Sequence, residues 1–186
     1  MTSPGALSVF VAPGRIAATV IAGLAIEAGM IWRFGWRPPL AAYSALAVTG
    51  AVVSATDLAA RRVPNLIVLS VYVLAVPLLA IASASAGQWW PLARAGITAV
   101  TLGGFYLALG LAFPAGMGLG DVKWAVVLGA YLGWLSSSAV ITGTLLAFLV
   151  AVVVLVAMRV AGRRQASLPM VPFMTFGAVA AVLATR

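Results

Sequence analysis

The sequence has 186 residues, of which 64% are hydrophobic and only 8% are charged, and its formal net charge is +8. Soluble domains carry charge on about a quarter of their residues, so this composition excludes an ordinary soluble enzyme and indicates a multi-span membrane protein. The sequence contains no cysteine and no histidine, which excludes disulfides, thiol catalysis, Cys/His zinc sites and a histidine general base.

Seven apolar segments predict an all-α bundle of about seven transmembrane helices. After a tail over residues 1–14, the predicted spans are 15–32, 40–57, 64–83, 93–113, 121–135, 139–160 and 168–185. About 20 apolar residues cross a bilayer, so the fifth and seventh spans are short. We expect a single membrane domain over 1–186, with the tail and first helix in 1–39 and a six-helix core in 40–186.

Basic residues at the span ends predict the orientation. If the spans alternate, seven basic residues lie on the side of the 58–63 loop and four lie on the other side. The seven are Arg15, Arg61, Arg62, Lys123, Arg159, Arg163 and Arg164, and the four are Arg33, Arg37, Arg94 and Arg186. This excess places the 58–63 loop in the cytoplasm. The basic positions are not interleaved with exposed aromatic residues, so we predict a lipid bilayer and no nucleic acid as partner.

Two of the three acidic residues are predicted to form one site. The three are Glu27, Asp57 and Asp121. Two predicted spans separate Asp57 from Asp121, so both carboxylates lie at the same membrane face. Two carboxylates close together can share a proton, so that the ionised one activates water and the protonated one polarises an amide carbonyl. This is aspartic-protease chemistry; it requires no metal or other cofactor, and we expect none.

A glycine-rich stretch precedes Asp121 and reads Gly116-Met117-Gly118-Leu119-Gly120. Glycine lets a backbone turn sharply and approach a bound peptide closely. Gly118 and Gly120 are therefore predicted to support the site. The bound peptide must be extended, because a helix hides its amide groups.

Structural roles remain open for each acidic residue. Asp121 could cap the fifth span, and Asp57 could pair with Arg61 four residues on. The helix dipole disfavours a carboxylate near the C-terminal end of a helix, so a structural role explains Asp57 less easily. Glu27 lies deep in the first span, as a buried partner for an arginine or as a pore-lining group. Lys123 could tune the two aspartates, contact substrate or lipid phosphate, or snorkel to the interface.

The residues around the two aspartates form two motifs. The first reads Asp57-Leu58-Ala59-Ala60-Arg61-Arg62-Val63-Pro64-Asn65, and the second reads Gly118-Leu119-Gly120-Asp121-Val122-Lys123. Both resemble motifs of the type IV prepilin peptidases, a family of membrane aspartic peptidases. A third stretch, Pro169-Met170-Val171-Pro172-Phe173-Met174, only partly matches the Pro-Phe-Gly-Pro-Phe of that family.

The resemblance covers about residues 40–180 and implies a function. It implies that Asp57 and Asp121 are catalytic, with support from Gly118, Gly120, Lys123, Arg61, Arg62, Pro64 and Asn65. The family removes the short basic leader from prepilins and pseudopilins at the cytoplasmic face of the cell inner membrane, without metal. Many members also N-methylate the new N-terminus with an N-terminal domain that often carries Cys-x-x-Cys pairs. Only about 40 residues precede the core here and cysteine is absent, so we expect cleavage without methylation.

Substrate specificity is expected to involve the basic rim of the site. This rim carries Arg61, Arg62 and Lys123, and its positive charge does not attract a basic leader. We therefore expect Arg61, Arg62 or Lys123 to meet an acidic residue early in the mature pilin, a feature that the resemblance supplies.

Three other functions are weaker interpretations. A transporter could use Asp57, Asp121 and Glu27 as a proton or cation relay, but the chain is short and shows no inverted repeat. A presenilin-like protease shares Gly-x-Gly-Asp, but usually has Tyr-Asp where this chain has Thr56 before Asp57. A non-catalytic assembly protein should have lost one aspartate. The sequence makes no prediction of the oligomeric state.

Overall fold

The structure, a computed structural model, describes residues 13–61, 63–113, 118–163 and 168–185. These residues form seven helices: α1 Pro13–Phe34, α2 Pro39–Ala60, α3 Asn65–Ser85, α4 Trp90–Ala112, α5 Leu119–Leu135, α6 Ser137–Val160 and α7 Val171–Ala184. The all-α prediction is confirmed. Arg62, Arg164, Arg186, the Gly116-Met117 part of the glycine stretch and most of the tail lie outside the described residues.

The observed helix bounds differ from the predicted ones by at most about three residues. The first helix, α1, begins at Pro13, two residues before the predicted start of the first span at residue 15. Helix α2 continues past Asp57 to Ala60 and then ends at Arg61, whose φ of 50° and ψ of 39° are left-handed. The Arg61 N–H donates to the carbonyl oxygen of Asp57 at 2.9 Å. Asp57 therefore lies in the last turn of α2 and not at its end.

Five helices, α1 to α4 and α6, are long and apolar enough to cross a membrane by length and composition. Helix α5 has 17 residues and α7 has 14, fewer than the roughly 20 that span a bilayer. Five of the seven predicted spans thus meet this criterion in the described part of the chain, and the protein is a multi-pass membrane protein.

The short helix α7 has a central position in the bundle. It packs against α6, α2 and α5, whereas α1 packs mainly against α2. Small residues permit close approach of membrane helices. At Gly129 in α5, an added Cβ would lie 2.6 Å from the carbonyl oxygen of Thr98 in α4. The α4 and α5 backbones are therefore in direct contact.

Arginines at one end of the bundle bind the C-terminal carbonyls of α5 and α7. Arg94 of α4 donates to the carbonyls of Gly133, Trp134 and Leu135 at 2.6, 2.8 and 2.7 Å. Arg33 donates to Val182 near the end of α7 at 3.2 Å. The N-termini of α5 and α7 therefore lie together at the opposite end of the bundle.

Candidate active site

The two aspartates lie at the same end of the bundle. Asp57 is in the last turn of α2, and Asp121 is in the first turn of α5. Both are buried, with exposed fractions of 6% for Asp57 and 9% for Asp121. They are close enough for the charge of Asp57 to act on Asp121. The structure therefore brings together the two carboxylates that the sequence placed on one face.

The Asp121 carboxylate caps its own helix. Its Oδ2 accepts a hydrogen bond from the Gly118 N–H at 2.9 Å, and Gly118 is the extended N-cap residue of α5. This is the side-chain half of a capping box, in which a carboxylate in the first turn reaches back to the N-cap N–H. The structural role considered for Asp121 is therefore present, and it uses one of the two carboxylate oxygens.

The Asp57 carboxylate binds the start of a different helix. Its Oδ2 accepts a hydrogen bond from the N–H of Val171, the first residue of α7, at 3.2 Å. The positive end of a helix dipole favours a carboxylate. Asp57 lies at the unfavourable end of α2 but at the favourable end of α7. This contact accounts for a position that its own helix makes unfavourable.

The donor to Asp57 was not predicted from the sequence, although it lies in the third, partly matched motif. The family pattern has glycine where this chain has Val171. Because the donor is a backbone N–H, a change of side chain leaves the hydrogen bond possible. The valine at this position of the third motif therefore does not prevent the hydrogen bond to Asp57.

The two motifs are packed against each other at Gly120. A Cβ added to Gly120 would lie 2.7 Å from Cγ2 and 2.9 Å from Cβ of Val63 in the first motif. A Cβ added to Gly118 would meet nothing closer than 3.7 Å. Gly120 is therefore required by space and Gly118 is not. The two glycines predicted to support the site therefore have different roles. Gly120 permits the packing contact with Val63, and Gly118 supplies an N–H donor to Asp121.

Lys123 connects the second motif to the first. Its Nζ donates to Oδ1 of Asn65 at 2.8 Å, and the Tyr72 hydroxyl donates to the Lys123 carbonyl at 2.7 Å. Pro64, the predicted first residue of the third span, is the N-cap of α3, one residue before the observed helix start at Asn65, and its carbonyl accepts hydrogen bonds from the first turn. The predicted support residues Lys123, Pro64 and Asn65 therefore lie at the junction of α3 and α5.

The remaining charged residues have different positions. Arg61 is exposed at the end of α2, and its charge acts on Asp57. The structure gives Glu27 a serine partner and not the arginine that was considered, since the Ser44 hydroxyl donates to Glu27 Oε1 at 2.6 Å. Ser44 precedes Asp57 by 13 residues on α2, which is about 20 Å of helix. Glu27 is therefore separate from the aspartate pair.

A buried tyrosine near the site was missed by the sequence analysis. Tyr106 of α4 is 1% exposed and lies close enough to Asp121 for the aspartate charge to act on it. In the sequence, the one signal for this proximity was the alternation of helix directions, which brings the C-terminal end of α4 to the same membrane face as the two aspartates.

Two neighbouring carboxyl groups are suited to general acid–base chemistry. Within the described ranges, no group of three or more Asp, Glu, His or Cys side chains is placed to hold a metal ion. The arrangement can activate a water molecule on one carboxylate and protonate a leaving group from the other.

The type IV leader peptidase family model matches residues 44–160, more than half of the chain, and this range contains both aspartates. The chain belongs to the type IV leader peptidase family. No curated protein and no solved structure matches the chain significantly. The predicted family resemblance is confirmed, and this leader peptidase is a multi-pass membrane protein. Helix α7, which supplies the N–H donor to Asp57, lies outside the matched range.

Proposed function

We propose that this leader peptidase is an aspartic endopeptidase that removes the short basic leader from type IV prepilins or pseudopilins. Asp57 and Asp121 are its catalytic residues. The reaction takes place at the cytoplasmic face of the cell inner membrane and requires no metal or cofactor.

One observation carries the proposal. Two of the three acidic residues in the whole sequence, from two distant motifs, are buried together at one end of a membrane bundle. Charged groups in membrane segments are unfavourable, and they generally mark functional sites. The capping contacts of both aspartates are compatible with catalysis, because each uses one carboxylate oxygen.

The mechanism follows from the pair. A water molecule held between the carboxyl groups attacks the carbonyl carbon of the scissile peptide bond. One aspartate takes a proton from the water, and the other donates its proton to the carbonyl oxygen, which gives a gem-diol. As the C–N bond breaks, the first aspartate gives its new proton to the leaving nitrogen, and the second takes a proton back from a hydroxyl of the gem-diol, so that the pair returns to its starting state. The backbone N–H donors at Gly118 and Val171 orient the two carboxylates.

The substrate approaches the pair in an extended conformation. Its apolar helix lies in the lipid beside the bundle, and its leader reaches the polar end where α2, α3, α5 and α7 meet. Arg61 is exposed there, and Lys123 is exposed while it binds Asn65. These cations, together with Arg62, are the groups proposed to meet an acidic residue early in the mature pilin. Exchange of that acidic residue for lysine is then expected to abolish cleavage.

Cleavage without N-methylation is part of the proposal. Its support is the absence of cysteine from the sequence, since the methylating members of the family often carry cysteine pairs. Mass spectrometry of the product in the presence of S-adenosylmethionine tests this point. An unmodified new N-terminus is expected, and a mass increase of one methyl group would contradict it.

The proposal is tested by cleavage of a prepilin-like peptide in detergent with a chelator present. The wild type is expected to cut, and Asp57→Asn and Asp121→Asn are each expected to lose at least about 10³-fold in kcat. Glu27→Gln is the matched control, because it makes the same change of acid to amide at the third acidic residue. It is expected to cut at the wild-type rate.

Four outcomes count against the proposal. Activity in both aspartate variants, or a requirement for metal, would show that Asp57 and Asp121 are not the catalytic pair. Loss of activity in Glu27→Gln with intact folding would favour a relay that includes all three acids. If the wild type cuts no prepilin peptide, proton flux in liposomes tests the transporter interpretation directly.

A further inference from the structure

A single buried hydroxyl group joins the three helices that carry the aspartate site. Thr175 of α7 is 5% exposed. Its Oγ1 accepts hydrogen bonds from the Trp124 indole N–H at 3.0 Å and from the Ser54 hydroxyl at 3.1 Å. It donates to the carbonyl of Val171 at 2.9 Å. A threonine hydroxyl has one proton and two lone pairs, so these three contacts use its full hydrogen-bonding capacity.

The partners of Thr175 lie one helical turn from the groups of the site. Ser54 precedes Asp57 by three residues on α2, and Trp124 follows Asp121 by three residues on α5. Side chains three or four residues apart lie on the same face of a helix. Thr175, Ser54 and Trp124 therefore lie about one helical turn further into the bundle interior than the two aspartates.

Thr175 is also connected to Asp57 through the backbone of one residue, Val171. The carbonyl of Val171 accepts from Thr175, and the N–H of Val171 donates to Asp57. Thr175 and Val171 belong to the same helix, so a rotation or translation of α7 that breaks the bonds of Thr175 to Ser54 and Trp124 would also displace the N–H donor of Asp57. The hydroxyl thus constrains the N–H donor of one aspartate as well as the first turn of the helix that carries the other.

The approach of Thr175 to α2 depends on a glycine. A Cβ added to Gly50 would lie 2.8 Å from Cγ2 of Thr175. Gly50 lies one turn before Ser54 on α2. The backbone of α2 therefore leaves space for Thr175, which is independent support for close and specific packing at this position.

We propose that Thr175 is a positioning residue that sets the placement of Asp57 relative to Asp121, through its bonds to Ser54, Trp124 and Val171. The inference rests on the proposed two-aspartate function. Because its hydroxyl is fully used by Ser54, Trp124 and Val171, Thr175 acts on the aspartates through these partners and not by direct contact. It holds three helices in one register, so that a water molecule fits between the two carboxyl groups. Misplacement of reacting groups by about 1 Å can reduce a rate about 100-fold.

Thr175→Val and Thr175→Ser separate the role of the hydroxyl from that of side-chain volume. Valine keeps the shape and removes the hydroxyl, whereas serine keeps the hydroxyl. We expect Thr175→Val to lower kcat at least about tenfold with KM changed less than about twofold, and Thr175→Ser to stay within about threefold of wild type. The matched control is Thr144→Val, because the Thr144 hydroxyl donates only within α6, to Val140 at 2.7 Å; it should leave kcat unchanged.

A readout that needs no activity is the indole N–H resonance of Trp124 in protein labelled with 15N-tryptophan. The chain has six tryptophans, and Trp124→Phe assigns the resonance. The resonance is expected to shift in Thr175→Val, because the indole loses its acceptor, and to stay close to the wild-type position in Thr175→Ser.

Each outcome decides the inference. A wild-type kcat in Thr175→Val, equal impairment in the serine and valine variants, or an unmoved Trp124 resonance would overturn it. If the wild-type protein cuts no prepilin peptide, the proposed function fails, and the Trp124 resonance alone decides whether the Thr175 hydroxyl joins α7 to α5.

Discussion

Lys123 of the second motif donates a hydrogen bond to Asn65 of the first, with 2.8 Å between Nζ and Oδ1. The two residues are 58 positions apart in the sequence. Beside this bond, Val63 packs against Gly120. The two motifs are therefore in contact through residues other than their aspartates. Together they form one packed unit that holds the starts of α3 and α5 side by side.

This bond predicts energetic coupling between Lys123 and Asn65. Lys123→Met and Asn65→Ala each remove the same bond, so the double variant should be less impaired than the sum of the singles. The expected interaction energy is about 0.5 to 1 kcal/mol, because the pair is exposed to solvent. A double-mutant cycle on the free energy of unfolding in detergent measures it. Additive effects would show that the bond does not contribute to stability.

The glycines of the second motif are predicted to differ in their tolerance of alanine. Gly120→Ala forces a Cβ against Val63, and overpacking of this kind costs about 1 to 3 kcal/mol. Gly118→Ala places its Cβ at an ordinary van der Waals distance, 3.7 Å from the nearest atom, and should change stability by less than about 0.5 kcal/mol. Thermal unfolding and cleavage rates of the two variants provide the comparison.

A second-site change tests the reason for the intolerance at Gly120. Val63→Ala removes Cγ2, which is the nearer of the two contacts. Adding it to Gly120→Ala should restore part of the lost stability. If the double variant is no better than Gly120→Ala alone, the contact with Val63 is not the cause.

The left-handed conformation of Arg61 predicts an order of stability between two variants. Among the described residues, it alone has a positive φ without being glycine. Arg61→Gly and Arg61→Ala both lose the guanidinium group, but only glycine adopts this conformation without strain. The glycine variant should be more stable than the alanine variant by about 1 kcal/mol. Equal unfolding free energies would contradict the prediction.

The matching control is at the end of α3. Ala86 occupies the C-cap there with a φ of −92°, in the right-handed region. Ala86→Gly should therefore bring no gain in stability. A gain at both C-caps would indicate a general effect of glycine and not relief of strain at Arg61.

Arg94 is predicted to stabilise the bundle without acting on the aspartate site. Its guanidinium binds three carbonyls at the end of α5, and a lysine cannot reproduce this forked arrangement. Arg94→Lys should lower the free energy of unfolding by about 2 kcal/mol, with Arg37→Lys as an exposed control. At temperatures where the variant is folded, kcat and KM should equal those of the wild type. Loss of cleavage in a fully folded variant would contradict this.

The positions of the helices could be predicted from the sequence because apolar segments in a membrane protein are separated by polar and basic turns. The placement of Asp57 and Asp121 at one end required only the count of spans between them. The last turn of α2 was missed, because Leu58 to Ala60 continue the helix and the left-handed turn at Arg61 carries no glycine to mark it.

Contacts between segments far apart in the sequence could not be predicted. The N–H of Val171 has no sequence signature, because every residue except proline offers the same donor. Thr175 is one of many hydroxyl residues in apolar helices, and such residues commonly bond to their own helix. Only the packing of α7 between α2 and α5 shows which hydroxyl group joins other helices.

The hydrogen bond between Asp57 and Val171 joins residues 114 positions apart. During biosynthesis, α2 enters the membrane long before α7 has been translated. A partly synthesised chain therefore has both aspartates but lacks the backbone donor for one of them. The environment of the aspartate pair is complete only when the last helix has inserted between α2 and α5. The order of membrane insertion therefore leaves the nascent chain without a fully assembled aspartate pair.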